Sequence, residues 1–196
     1  MNKRLCKTLP ILCVALVVAF MVTVSGVAFA QDVFRVNYFS NANTPGAPDA
    51  TVRGDNPGLT YGNLCAMVYV FDQDEQLTEC CGCVLSHNDL RTWSVNGDLT
   101  SNPLTGKKST TGVIKIIAAA VNAAPCDPTA NVTPTANLRE WATHIQNKVG
   151  AAWPITETEF SDSTLGATEL ANLQAQCSFI AILGSTQGVC TCGTGY

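Results

Sequence analysis

Charge is scarce in this chain. Charged residues make up 13% of it, and 11 basic residues are outnumbered by 15 acidic ones. Beyond Lys7 the basic side chains are scattered, with Lys107-Lys108 the one adjacent pair. Recognition of a phosphate backbone needs a basic footprint, so nucleic acid is excluded as a partner. The same balance argues against attachment to an anionic membrane surface. Histidine is almost missing: His87 and His144 are the two present, so any site that needs an imidazole must use one of them. There is no Gly-x-Ser-x-Gly elbow, since Gly184-Ser185-Thr186-Gln187-Gly188 puts serine at the wrong place. No glycine-rich phosphate loop occurs, and no internal repeat. After Ala30 no run is long and apolar enough to span a bilayer.

What is present begins with a leader. Lys3, Arg4 and Lys7 precede an apolar core over residues 11–24, and Val27-Ala28-Phe29-Ala30 supplies an A-x-A signal before Gln31. Residues 1–30 are therefore expected to be a signal peptide, cleaved between Ala30 and Gln31. The apolar stretch 9–30 is long, which makes an uncleaved anchor the competing reading. Neither Cys6 nor Cys13 sits in a lipobox; Leu12 stands where a small residue is expected before a lipidated cysteine. Cleavage takes away three basic residues and no acidic one, so the exported chain is more acidic still.

Cys65, Cys80, Cys81, Cys83, Cys126, Cys177, Cys190 and Cys192 remain after the leader. An even set in an exported chain reads as a disulfide framework, with on the order of a hundred possible pairings. On a strand Cys80 and Cys81 point to opposite faces, while Cys81 and Cys83 share one. Bonds between such close neighbours would be strained, so at least two of the three should reach distant partners. Cys190 and Cys192, also two apart, are natural candidates, and would tie the tail to the central hairpin.

That hairpin, residues 64–84, organises the chain: an apolar run of eight, a polar turn, then a second strand-like run carrying three cysteines. Its first arm is nearly continuous in apolar residues, which predicts burial on both faces. Residues 33–40, 50–53, 90–95 and 112–119 read as further strands, with turn signals at Asn96-Gly97 and Asn102-Pro103. Trp93 is expected in the core. Residues 122–136 hold Pro125, Pro128 and Pro134 and read as a linker or long loop pinned by Cys126. Leu138, Trp141, Ile145 and Val149 then recur at helical spacing before Gly150, and Leu170, Leu173, Cys177 and Ile180 form one face of a second helix over 168–183, with Gly184 as its cap. The expected fold is α+β: an antiparallel β-sandwich-like part at 31–121, the proline-rich linker at 122–136, and a pair of amphipathic helices with a Cys-rich tail at 137–196, stapled by disulfides into one unit.

Several phrases resemble those of a group of small secreted, cysteine-rich bacterial proteins of unknown function. They are Leu64-Cys-Ala-Met-Val-Tyr-Val-Phe-Asp72, Glu79-Cys-Cys-Gly-Cys83, Asp98-Leu-Thr-Ser-Asn-Pro-Leu-Thr-Gly106, Trp141-Ala-Thr-His-Ile-Gln146 and Val189-Cys-Thr-Cys-Gly193. The resemblance implies export and a disulfide scaffold, and it carries over no activity or site residues.

Candidate chemistry is sparse. Cys80, Cys81, Cys83 and His87 could ligate zinc, but the spacing is not that of a zinc knuckle and an oxidising compartment favours disulfides. Cys190-x-Cys192 lacks the spacing and the βαβ setting of a redox pair. Asp72, Asp74 and Glu75 could offer oxygens to Ca²⁺, yet without the pattern of an EF-hand loop. Glu157, Glu159 and Asp162 could supply paired carboxylates for a secreted hydrolase. Asn131-Val132-Thr133 matches a glycosylation sequon followed by Pro134. His144 lies next to core-facing Ile145, and Trp153, beside Pro154 in a loop, is the tryptophan to test for ligand contact. No cofactor is called for. The expectation is a non-enzymatic exported protein, secreted, periplasmic or at the cell surface, that works by binding or assembly. One form of assembly would be self-association, in which strand 33–40 adds to a neighbour's sheet; the alternative, favoured for an N-terminal strand, is that it pairs within its own sheet.

Overall fold

The computed structural model describes residues 33–59, 62–100, 106–121, 126–130, 132–182, 190–192 and 194–195, all within a unit spanning 31–196. The expected signal peptide 1–30 with its Ala30/Gln31 cleavage site, the turn at Asn102-Pro103, Asn131 of the sequon and the Gly184 cap lie outside the described residues.

The apolar run at the centre of the sequence is strand β3 (Leu64–Asp72), with β1 (Phe34–Phe39) and β2 (Thr51–Asp55) before it and β4 (Leu77–Leu85), β5 (Leu90–Ser94), a one-turn helix α1 (Val95–Asp98) and β6 (Gly112–Ala120) after it. Then come β7 (Arg139–Ile145), β8 (Ile155–Glu159), β9 (Ser161–Asp162), helix α2 (Ala167–Ile182) and β10 (Thr194–Gly195). They build two antiparallel five-stranded sheets, β4-β3-β6-β1-β9 and β10-β5-β2-β7-β8. Period-two alternation explains why β3 is apolar throughout. Leu64, Ala66, Val68 and Val70 pack between the sheets with Val52, Trp93 and Ala142, while Cys65, Met67 and Tyr69 pack on the other face under Leu173, Cys177 and Ile180 of α2. The first sheet is thus the middle layer of three. Phe160 is buried where the chain leaves one sheet at β8 and joins the other at β9.

The disulfides follow the same alternation. Cys80, on the α2 side of β4, bonds Cys177; Cys81 and Cys83, on the inner side, bond Cys190 and Cys192. The tail is thereby fixed along β4 with Cα–Cα distances of 5.3 Å and 5.4 Å, and β10 pairs with β5 of the opposite sheet. The tail is thus tied to the central hairpin as expected, and it closes one side of the sandwich. Cys65 bonds Cys126, and the backbone at Cys126 crosses directly over Gly82, where an added Cβ would come within 2.1 Å of the Cys126 carbonyl oxygen. The described part of the expected linker packs on the sheet. The Tyr69 hydroxyl donates to the Pro128 carbonyl at 2.9 Å, and Thr133 and Pro134 bridge to the end of β6.

One expectation needs correction. The helix expected from Leu138 to Val149 is instead strand β7, with Leu138 just before it and Ile145 at its end buried, and Val149 beyond it exposed in the loop. Polar Glu140 and His144 occupy inward positions and break the apolar alternation that marks a strand. What remains, Leu138, Trp141 and Ile145, falls on a three-then-four spacing by coincidence. The first strand pairs within its own sheet, the alternative favoured for it. β1 lies between β6 and β9, with Phe34 and Phe39 buried.

Candidate binding site

The inward polar residues of β7 mark a site at one side of the sandwich. His144 pairs across from Thr156 and Ala142 from Thr158, so both threonines share the sheet face that carries Ala142, the face turned toward the core. All of β8 is nevertheless exposed, because the opposite sheet reaches this far with two-residue β9 alone. The sandwich is left open as a mouth between β1, β7 and β8.

At this mouth His144 is fully buried, with Nε2 2.7 Å from Thr158 Oγ1. The Tyr38 ring lies flat over the imidazole, centroids 4.1 Å apart and planes 16° from parallel, and remains 47% exposed. Asn37 Nδ2 donates to Thr158 Oγ1 at 3.2 Å, and Gln146 Nε2 donates to Thr156 Oγ1 at 2.9 Å. Ser40 Oγ and Asn41 Nδ2 both donate to the Ile145 carbonyl at 2.8 Å, which fixes the exit of β1 against β7. Burial pushes the His144 imidazole below its ordinary pKa, and the Tyr38 backbone, which acts in the opposite sense, offsets this only in part.

Next along the same strands is a charge cluster. Arg35, 5% exposed, makes ion pairs with buried Glu140 at 3.6 Å and with half-exposed Glu159 and Asp162 at 3.2 Å each. Four strands, β1, β7, β8 and β9, contribute one member each. A buried guanidinium needs such partners to offset its desolvation.

The hydrolase candidates are thus brought close but not as a catalytic pair: Glu159 and Asp162 bind Arg35, and Glu157 binds Arg53. The zinc candidates are dispersed. Cys80 faces the opposite side of β4 from Cys81 and Cys83, all three are in disulfides, and the His87 ring packs on Gly58. No group of three His, Cys, Asp or Glu among the described residues is arranged to hold a metal ion. Asp72 Oδ1 accepts from the backbone of Asp74 and Gln76, so that carboxylate shapes its own turn. Trp153 is partly buried against the core, with Lys148 Nζ 5.9 Å from its ring centroid. No family model, curated protein or solved structure matches the chain. Sequence reasoning noted His144 but missed Tyr38, Asn37, Thr156, Thr158, Arg35 and Glu140. The available signal was Glu140-x-Ala142-x-His144, two polar residues in phase with a buried one.

The arrangement offers an exposed aromatic held rigidly on a buried ring, with amides and hydroxyls beside it. Among the described residues no helix is long and apolar enough to cross a membrane, and four disulfides point to folding in an oxidising setting.

Proposed function

We propose that this is an exported, disulfide-locked, non-enzymatic binding protein that acts at or outside the cell surface, with the mouth between β1, β7 and β8 as its binding face. The observation that carries the reading is Tyr38: a half-exposed aromatic immobilised by stacking on His144, so that little side-chain freedom is lost when a ligand covers it. The leader sequence, the four disulfides and the resemblance to small secreted bacterial proteins support export. Arginine pairing of Glu157, Glu159 and Asp162 weighs against the hydrolase alternative, since it occupies the carboxylates that a hydrolase would present to its substrate. Disulfide use of Cys80, Cys81 and Cys83 weighs against the metal alternative.

The test combines fractionation with retention on envelope material. A cell producing the full chain is expected to place it outside the cytoplasm, starting at Gln31. That protein should be retained on isolated cell-envelope material, and Tyr38→Ala should lose retention while keeping its melting temperature. Cytoplasmic protein retaining Met1, or retention indifferent to Tyr38→Ala, contradicts the proposal.

A further inference from the structure

We infer that the mouth binds a neutral sugar, with a pyranose ring seated on Tyr38 and its hydroxyls hydrogen-bonded to Gln146, Thr156 and the Asn37–Thr158 pair. This rests on the binding role proposed above and names its ligand class. One face of the Tyr38 ring is covered by His144 at 4.1 Å, so the exposed area is the opposite face and the ring edge. An aromatic face carries a negative quadrupole and attracts the weakly positive C–H groups that line one side of a pyranose.

The groups beside the ring match the other half of a sugar. Gln146 donates one amide hydrogen to Thr156 and keeps its carbonyl oxygen as an acceptor, while Thr156 keeps its hydroxyl hydrogen. Thr158 and Asn37 are already fixed to one another and to His144, so these groups are pre-oriented. A hydroxylated ligand needs both donors and acceptors at short spacing, and this rim supplies both.

Charge narrows the class further. The rim of Tyr38, Asn37, Gln146, Thr156 and Thr158 is uncharged. The nearest strand neighbours place Arg35 among three carboxylates, and Arg53 against Glu157. Arg35 is surrounded by three carboxylates, and this local excess of negative charge repels a uronate or sialate.

The experiment is an immobilised array of neutral, acidic and cationic oligosaccharides, probed with oxidised protein beginning at Gln31. Binding is expected on neutral glycans. Tyr38→Ala should lower apparent affinity about tenfold or more, Tyr38→Phe should retain it, and Gln146→Ala should weaken it without changing the melting temperature. Signal confined to acidic or cationic glycans, or neutral binding that survives Tyr38→Ala, overturns the inference. Tyr38-dependent retention on envelope material with no glycan bound overturns the sugar class and leaves the binding face standing. Loss of both overturns the two together.

Discussion

His144 is a buried imidazole whose pKa burial depresses, with the Tyr38 backbone opposing in part. As pH falls the unfolded chain takes up this proton before the folded one does. The residue's contribution to stability is therefore complete above its ordinary value of 6.5 and is lost as pH drops below it, by at most about 1.4 kcal/mol per pH unit for one proton. Chemical denaturation at pH 7.5 and pH 5 should show a drop in midpoint for the natural chain. His144→Gln, which keeps a polar side chain at the position, should show a smaller drop between those two pH values. An equal drop in both would place the acid sensitivity elsewhere. At this scale the sequence was only partly legible. Trp93, Leu173, Cys177 and Ile180 are buried as their patterns imply. Arg35 and Glu140 read as ordinary charged residues, because a residue's own chemistry does not say that strands far apart in the chain will bury it beside its partner.

Helix α2 depends on the sheet it covers. Its buried face is narrow, with Leu173, Cys177 and Ile180 fully inside and Phe179 59% exposed. Two links reinforce it: the Lys115–Glu169 ion pair at 2.6 Å and the Cys80–Cys177 bond, which spans 97 residues of sequence. Replacing both cysteines by serine is expected to cost about 2–5 kcal/mol. The loss should appear in the guanidinium midpoint and as new proteolysis within 167–182, while the sandwich strands stay protected. Unchanged protection of the helix would show that packing alone holds it. This helix was legible because its apolar face is real. The expected helix before it was an accident of spacing, since a strand with buried polar residues loses its alternating signature. The register of β8, which opens the mouth, depends on where Phe160 sends the chain from one sheet to the other. No local pattern carries that information.

For the whole molecule, the central claim is a covalently locked sandwich in which helix, linker and tail are each tied to the hairpin at the centre of the sequence. That at least two of Cys80, Cys81 and Cys83 need distant partners was readable from strand alternation and disulfide geometry. The partner of Cys80 was not, because it depends on which face of the sheet the helix covers. Two of the disulfides, Cys81–Cys190 and Cys83–Cys192, close the sandwich at β4, the sheet edge opposite to β9. One measurement reaches this directly: peptide mapping by mass spectrometry of the natively exported, non-reduced protein after alkylation. The account predicts no alkylated cysteine and four linked peptide pairs, Cys65–Cys126, Cys80–Cys177, Cys81–Cys190 and Cys83–Cys192. Free Cys80, Cys81 and Cys83 thiols, or a tail bonded anywhere but β4, would contradict it.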